Sequence, residues 1–206
     1  MLVKVRAPRC RYSGMTVSAP RLPIVLIHGF IGHLQFAELT GDGAMLAPDL
    51  LGYGQRRDCD VQAITVRGQV DHLMAEINAW VGPWQPVLLV AHSAGATVAI
   101  RLAQRYPARI GGLLIAEGNL AASDAFLAAR LGPMSVAQVE QWLGTMRADP
   151  ARLLTADGVP VSASTLARMH SWLHHQEAEA LHRMARSVLL ESVTRKLCVS
   201  GHHSHP

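Results

Sequence analysis

Cysteine is scarce and poorly placed for any staple: Cys10, Cys59 and Cys198 form an odd set without a C-x-x-C pair. That pattern argues against a disulfide framework and a zinc ribbon, and the expected setting is reducing and cytoplasmic. Charge is thin too. Only 17% of the 206 residues are charged, and the basic ones are nearly all arginine, scattered singly or in pairs. Despite a formal charge of +4, no basic stripe with interleaved aromatics is present, so nucleic acid is not the expected partner. Long apolar runs are missing, because Gly, His or a charge interrupts each one well short of the ~18 residues of a membrane span. The basic N-terminus, "MLVKVRAPRCRYSG", is not followed by an apolar stretch of signal-peptide length before Pro20. It reads as an extension, with Met15 an alternative start. No internal repeat or low-complexity tract appears, and no cofactor and no resident metal are expected. The oligomeric state is not legible.

Half of the residues are hydrophobic, which suits one folded domain with a real core. "LPIVLIHGF" gives a branched-aliphatic strand, Ile24 to Ile27, stopping at His28-Gly29. Apolarity without alternation suits a strand covered on both faces, as in a parallel sheet flanked by helices. "GAMLAPDLLGYG" is a weaker strand running into a loop. Val66, Val70, Leu73, Met74, Ile77 and Val81 recur at three and four, the stripe of an amphipathic helix, and Gly82-Pro83 ends it. "PVLLVA" is a buried strand, "SAGATVAIRLAQRYP" a helix and "IGGLLIAEGN" another strand. Strand and helix in alternation predict an α/β fold with a parallel sheet and right-handed crossovers. After Asn119 only helices are predicted. Ser123 can cap "DAFLAARL", Ser135 with Gln138 forms a capping box, and a further helical region runs from about Ser164 to Thr194.

Ligands of open parallel sheets bind beyond the carboxyl ends of the strands. Three irregular segments fall there: His28-Gly29-Phe30, Ala91-His92-Ser93-Ala94-Gly95 and Glu117-Gly118-Asn119. The middle one reads small-x-Ser-x-Gly between a strand and a helix. Such a turn holds its serine in a strained conformation and needs tiny neighbours where strand and helix nearly touch; Ala91 and Gly95 supply them. A serine that merely capped the helix would not need small residues on both sides.

Through "HGFIG", "PDLLGYG" and "AHSAG", in that order from about Leu22 to Asn119, the chain resembles the α/β-hydrolase superfamily. Ala91 replaces the glycine common at the first elbow position. The resemblance implies a nucleophile at Ser93, an oxyanion hole from the backbone N–H groups of Phe30 and Ala94, and supporting roles for His28, Gly29, His92 and Gly95. It implies Glu117 as the acid, in the place used by haloalkane-dehalogenase-like branches. A carboxylate closing an apolar strand also needs a partner, so Glu117 is expected to be catalytic or buried and hydrogen-bonded. Asp49 is the competing carboxylate, with a structural role in the resembling loop. The resemblance divides the chain into the N-terminal extension (1–20), the hydrolase core (21–121), a helical cap (122–195) and a short tail (196–206). Trp142 and Trp172 are candidates to line an apolar pocket in the cap or to pack it against the core.

The family's base is a histidine after the last strand, and no clear counterpart is present. His92 is expected to point away from Ser93, and His170, His174, His175 and His182 to form a polar helix face. His202, His203 and His205 cluster at the terminus; His202 and His203 remain candidate bases. "RKLCVSGHHSHP" is unlike the rest of the chain, so the sequence reads as a hydrolase truncated at its C-terminus, with a sheet edge exposed. The expected activity is hydrolysis of an ester, thioester or related carbonyl bond of a mainly apolar small molecule through a serine acyl-enzyme. A catalytically impaired remnant or binding module stays open as an alternative, as does an acyltransferase or lyase on the same scaffold.

Overall fold

Ile24–Ile27 forms the first strand, β1, with Val25, Leu26 and Ile27 all buried. The structure, a computed structural model, describes residues 22–31, 44–118, 125–156 and 158–194. Strands β2 (Met45–Leu46), β3 (Val87–His92) and β4 (Ile110–Ala116) complete a parallel sheet in the order β2-β1-β3-β4. The alternation read from the sequence is therefore present, and it gives the expected α/β fold. Helix α1 (Val66–Val81) lies between β2 and β3, and α2 (Ala94–Arg105) between β3 and β4. Helices α3 (Phe126–Leu131), α4 (Val136–Ala148), α5 (Ala151–Ala156), α6 (Ala163–His174) and α7 (Ala178–Thr194) follow. Among the described residues, no helix is long and apolar enough to cross a membrane.

One hydrophobic cluster joins the sheet to these later helices, from Val25 and Leu89 through Leu102 to Leu143, Leu181 and Val188. Burying a Val, Leu or Ile side chain stabilises by about 1.5–3 kcal/mol, so a shared core couples the two parts strongly. Burial differs among the strands. β1 is covered as its unbroken apolarity predicts, whereas β3 alternates between buried and half-buried positions. β4 sits at the edge of the sheet and leaves Leu114 39% exposed. Among the described residues no strand pairs with its outer side, leaving an uncharged apolar edge of the kind that invites association.

The helix signals are met unevenly. Thr65 caps α1 by accepting from the Gly68 N–H, and Ser135 with Gln138 forms the expected capping box on α4. Ser123 lies outside the described residues, and α3 starts after Ala125 with no side-chain cap. The helical region expected from about Ser164 to Thr194 comprises two helices, with His175, Gln176 and Glu177 between them. No Gly or Pro marks this break. Long-range capping makes it: Arg147 donates from Nε to the Leu173 carbonyl (3.1 Å) and from Nη2 to the Gln176 carbonyl (2.7 Å). A second arginine does similar work elsewhere in the fold. Arg109 donates to the Gly82, Pro83 and Gln85 carbonyls and to Asn78 Oδ1, closing the loop between α1 and β3.

The loop after β2 is held by buried Gln69 of α1. Its carboxamide accepts from the Leu51 N–H (2.8 Å) and donates to the Leu51 carbonyl (2.9 Å), satisfying both polar groups of one loop residue. A Gln69→Met substitution keeps the volume but leaves both Leu51 groups unpaired. A buried orphan costs about 1–3 kcal/mol and Leu51 is half-buried, so urea unfolding is expected to show a loss of about 1–2 kcal/mol in all. A loss under ~0.5 kcal/mol would show that water replaces the carboxamide.

Candidate active site

The parallel register sets the three strand ends side by side: Ile27 pairs with Ala91, and His92 with Ala116. The next residues of each strand therefore meet at one edge of the sheet. Ser93 leaves β3 with φ 52° and ψ −125°, a conformation that costs a non-glycine residue of order 1–3 kcal/mol. It is held there from both sides, its N–H donating to the Ala116 carbonyl (3.1 Å) and its carbonyl accepting from the Ala96 N–H (3.0 Å). The Ser93 side chain makes no hydrogen bond to the helix it precedes. A capping serine would spend its hydroxyl on those N–H groups; this one is left available.

Two glycines allow the approach. A Cβ on Gly29 would lie 2.8 Å from Ser93 Cβ and 3.2 Å from its Oγ, so Gly29 borders the hydroxyl directly. A Cβ on Gly95 would meet the Ile27 carbonyl oxygen at 2.7 Å and collide with that of His28. The small residue two places after the serine is thus required by the end of β1. Gly29 and Phe30 are buried beside this turn, and Ala94 opens α2, where the first N–H groups of a helix have no intrahelical acceptor. No described turn, loop or cap carbonyl accepts from the Phe30 or Ala94 N–H.

His28 is buried and accepts at Nε2 from the Leu50 N–H (3.2 Å). Because that backbone group can only donate, the ring proton resides on Nδ1, which donates to the Gly29 carbonyl (2.8 Å). Both nitrogens are engaged in holding the loop. Tyr53 stands edge-on to the imidazole with ring centroids 4.9 Å apart, and complete burial pushes its hydroxyl well above the usual tyrosine range. Asp49 accepts from the Gln55 N–H (2.9 Å), while its carbonyl accepts from His72 Nε2 (2.9 Å), so it serves the loop as expected.

Glu117 departs from one expectation. Its side chain is 87% exposed, not buried, and it follows β4, the outermost of the described strands on that side. The partner its position called for is His92, whose Nε2 lies 3.3 Å from Glu117 Oε2. Glu117 and Ser93 are the two non-glycine residues of positive φ among those described, at 49° and 52°. Strain thus marks the ends of both β3 and β4. His92 is directed to Glu117, and the described residues hold no hydrogen bond between Ser93 and a histidine.

The other histidines are placed apart from this group. His170 and His174 bond each other on α6, His175 bonds the Ser171 carbonyl, and His182 lies half-buried on α7. His202, His203 and His205 lie outside the described residues. Trp142 is buried in the shared core, and Trp172 is half-buried on α6 with its carbonyl accepting from Gln176. Sequence reasoning missed Gln69 and the pairing of Tyr53 with His28. Gln69 carried a usable signal, since it falls three residues after Val66 and four before Leu73, a polar residue inside an apolar stripe.

A parallel sheet ending in a strained serine turn, with a His-Gly turn packed against it, defines an α/β-hydrolase architecture. The sequence profile of the alpha/beta hydrolase family matches residues 24–201, and the chain belongs to that family. Among curated relatives, the 1-acylglycerol-3-phosphate O-acyltransferase ABHD5 of Sus scrofa is 32% identical over 104 residues, covering 47% of this chain and 30% of that protein. A haloalkane dehalogenase of Mycolicibacterium paratuberculosis is 30% identical over 111 residues, covering 48% and 34%. The matched stretch is about a third of the length of these relatives. An epoxide hydrolase variant from Vigna radiata superposes with a TM-score of 0.62 at 21% identity, over 84% of this chain and 69% of that one. A thermophilic esterase from Thermogutta terrifontis gives 0.57 at 19%, over 92% and 72%. These structural matches speak to the fold alone.

Gly95→Ala forces a methyl group against the carbonyls that end β1. Overpacking of this kind costs about 1–3 kcal/mol, and the expected result in urea unfolding is a loss at the upper end of that range. An unchanged midpoint would mean that α2 can withdraw from β1 freely.

Proposed function

We propose that the chain is a serine hydrolase that cleaves an ester, thioester or related carbonyl bond of a mainly apolar small molecule. The observation that carries this reading is the hydroxyl of Ser93, held at φ 52° and withheld from capping α2. In this mechanism Ser93 Oγ attacks the carbonyl carbon while a base takes its proton. The oxyanion formed is met by the Phe30 and Ala94 N–H groups, preorganised at the turn and at the helix N-terminus. The leaving group departs with a proton, and water then releases the acid and restores Ser93. Glu117 is the acid that orients the base. His202 and His203, which lie outside the described residues, are the candidate bases.

The type of nucleophile selects among the chemistries of the family. An aspartate opening a haloalkane or an epoxide forms an ester that water can hydrolyse. A serine doing the same would form an alkyl ether, which does not turn over. Ser93 therefore supports acyl transfer, whatever the names of the dehalogenase and epoxide hydrolase relatives. A second reading, acyl transfer to an acceptor hydroxyl in place of water, draws support from the similarity to the acyltransferase ABHD5. It uses the same acyl-enzyme and differs only in what removes the acyl group.

A fluorophosphonate probe tests the shared step. Labelling of the folded protein that Ser93→Ala abolishes is the expected result, together with a fall of at least about 10³-fold in kcat/KM on short p-nitrophenyl esters. Absence of labelling in folded protein would replace the enzyme reading with that of a binding module.

A further inference from the structure

The exposed face of α6 carries an arrangement that the serine site does not use. His170 and His174 stand four residues apart, one turn of helix, with their Nε2 atoms 3.1 Å from each other. Their ring centroids are 4.3 Å apart and both side chains are exposed. Two neutral imidazoles can meet in this way only if one donates an Nε2 proton to the lone pair of the other. A metal ion can take the place of that proton.

We infer that His170 and His174 form a two-imidazole binding site for a divalent transition-metal ion of the Cu²⁺, Ni²⁺, Zn²⁺ class. The separation of the two nitrogens fits. Metal–imidazole bonds of ~2.0–2.1 Å to nitrogens 3.1 Å apart subtend an angle of about 100° at the ion. That lies between the square-planar and tetrahedral values, so it serves each of these ions. Water completes the coordination. Imidazole nitrogen is a suitable donor for all three ions, and Cu²⁺ binds most tightly in the general order of divalent affinities.

The site is also preorganised. The turn that bears His174 is anchored by fully buried Leu173 beside it. It is pinned from outside by Arg147, which holds the Leu173 and Gln176 carbonyls, and by Gln176, whose Nε2 donates to the Trp172 carbonyl (3.0 Å). Little backbone freedom is left to lose when an ion binds, so more of the bond energy appears as affinity. The ion would in turn clip the last turn of α6.

The test uses the full chain in which His202, His203 and His205 have been changed to Gln, so that the terminal cluster does not compete. Calorimetric titration with CuCl₂ is expected to give one site, with hyperfine splitting from two nitrogens in the electron paramagnetic resonance spectrum. His170→Gln and His174→Gln should each weaken binding by about tenfold or more, whereas His182→Gln should leave it unchanged. Glutamine suits a helix and both positions are exposed, so folding is expected to survive and far-ultraviolet circular dichroism checks it. Binding that neither substitution weakens, or no binding at about 1 mM free Cu²⁺, overturns the inference. Neither result bears on Ser93.

Discussion

The close approach of the N-terminus of α2 to the end of β1 is the constraint from which the candidate site follows. Gly95 sits where any side chain would strike the carbonyls of Ile27 and His28, and Gly29 sits against the Ser93 side chain. The chain can therefore leave β3 and enter α2 only through a turn that places Ser93 at positive φ. The cost of that conformation is offset by the hydrogen bonds that Ser93 donates to the Ala116 carbonyl and accepts from the Ala96 N–H, and by burial of β1 alongside. Once the turn is fixed, the hydroxyl cannot cap the helix and the first N–H groups of α2 are left facing the same edge.

The rest of the structure holds that edge still. His28, locked as the Nδ1–H tautomer between Gly29 and Leu50, ties the turn after β1 to the loop after β2. Gln69 and His72 tie that same loop to α1 through Leu51 and Asp49. The loop, the turn and α1 are thus one hydrogen-bonded unit, against which the elbow packs through Gly29. Such preorganisation is what electrostatic stabilisation of an oxyanion requires, because donors already in place need no reorientation during the reaction. β4 contributes differently: the outermost of the described strands on that side, it leads into the strained Glu117 beside His92.

Much of the fold was legible because its signals are local. The branched run Ile24–Ile27, the apolar stripe of α1, the Ser135–Gln138 capping box and the small-x-Ser-x-Gly turn each depend on residues within a few positions of one another. The break between α6 and α7 was not legible, since the arginine that caps it lies on α4. The exposure of Glu117 was hidden for a related reason. An apolar strand looks the same in sequence at the centre of a sheet and at its edge, and only strand order separates the two.

The sequence by itself determined the strand and helix alternation, the position of the strained serine and the family to which these belong, because steric demands between near neighbours write themselves into residue size. Only the tertiary structure decided the tautomer of His28, the engagement of His92 with Glu117, the role of Gln69 and the meeting of His170 with His174. Most of these join residues far apart in the chain, and the last depends on which rotamers the helix face admits. Side-chain chemistry supplies the groups in each case; packing selects which of them meet.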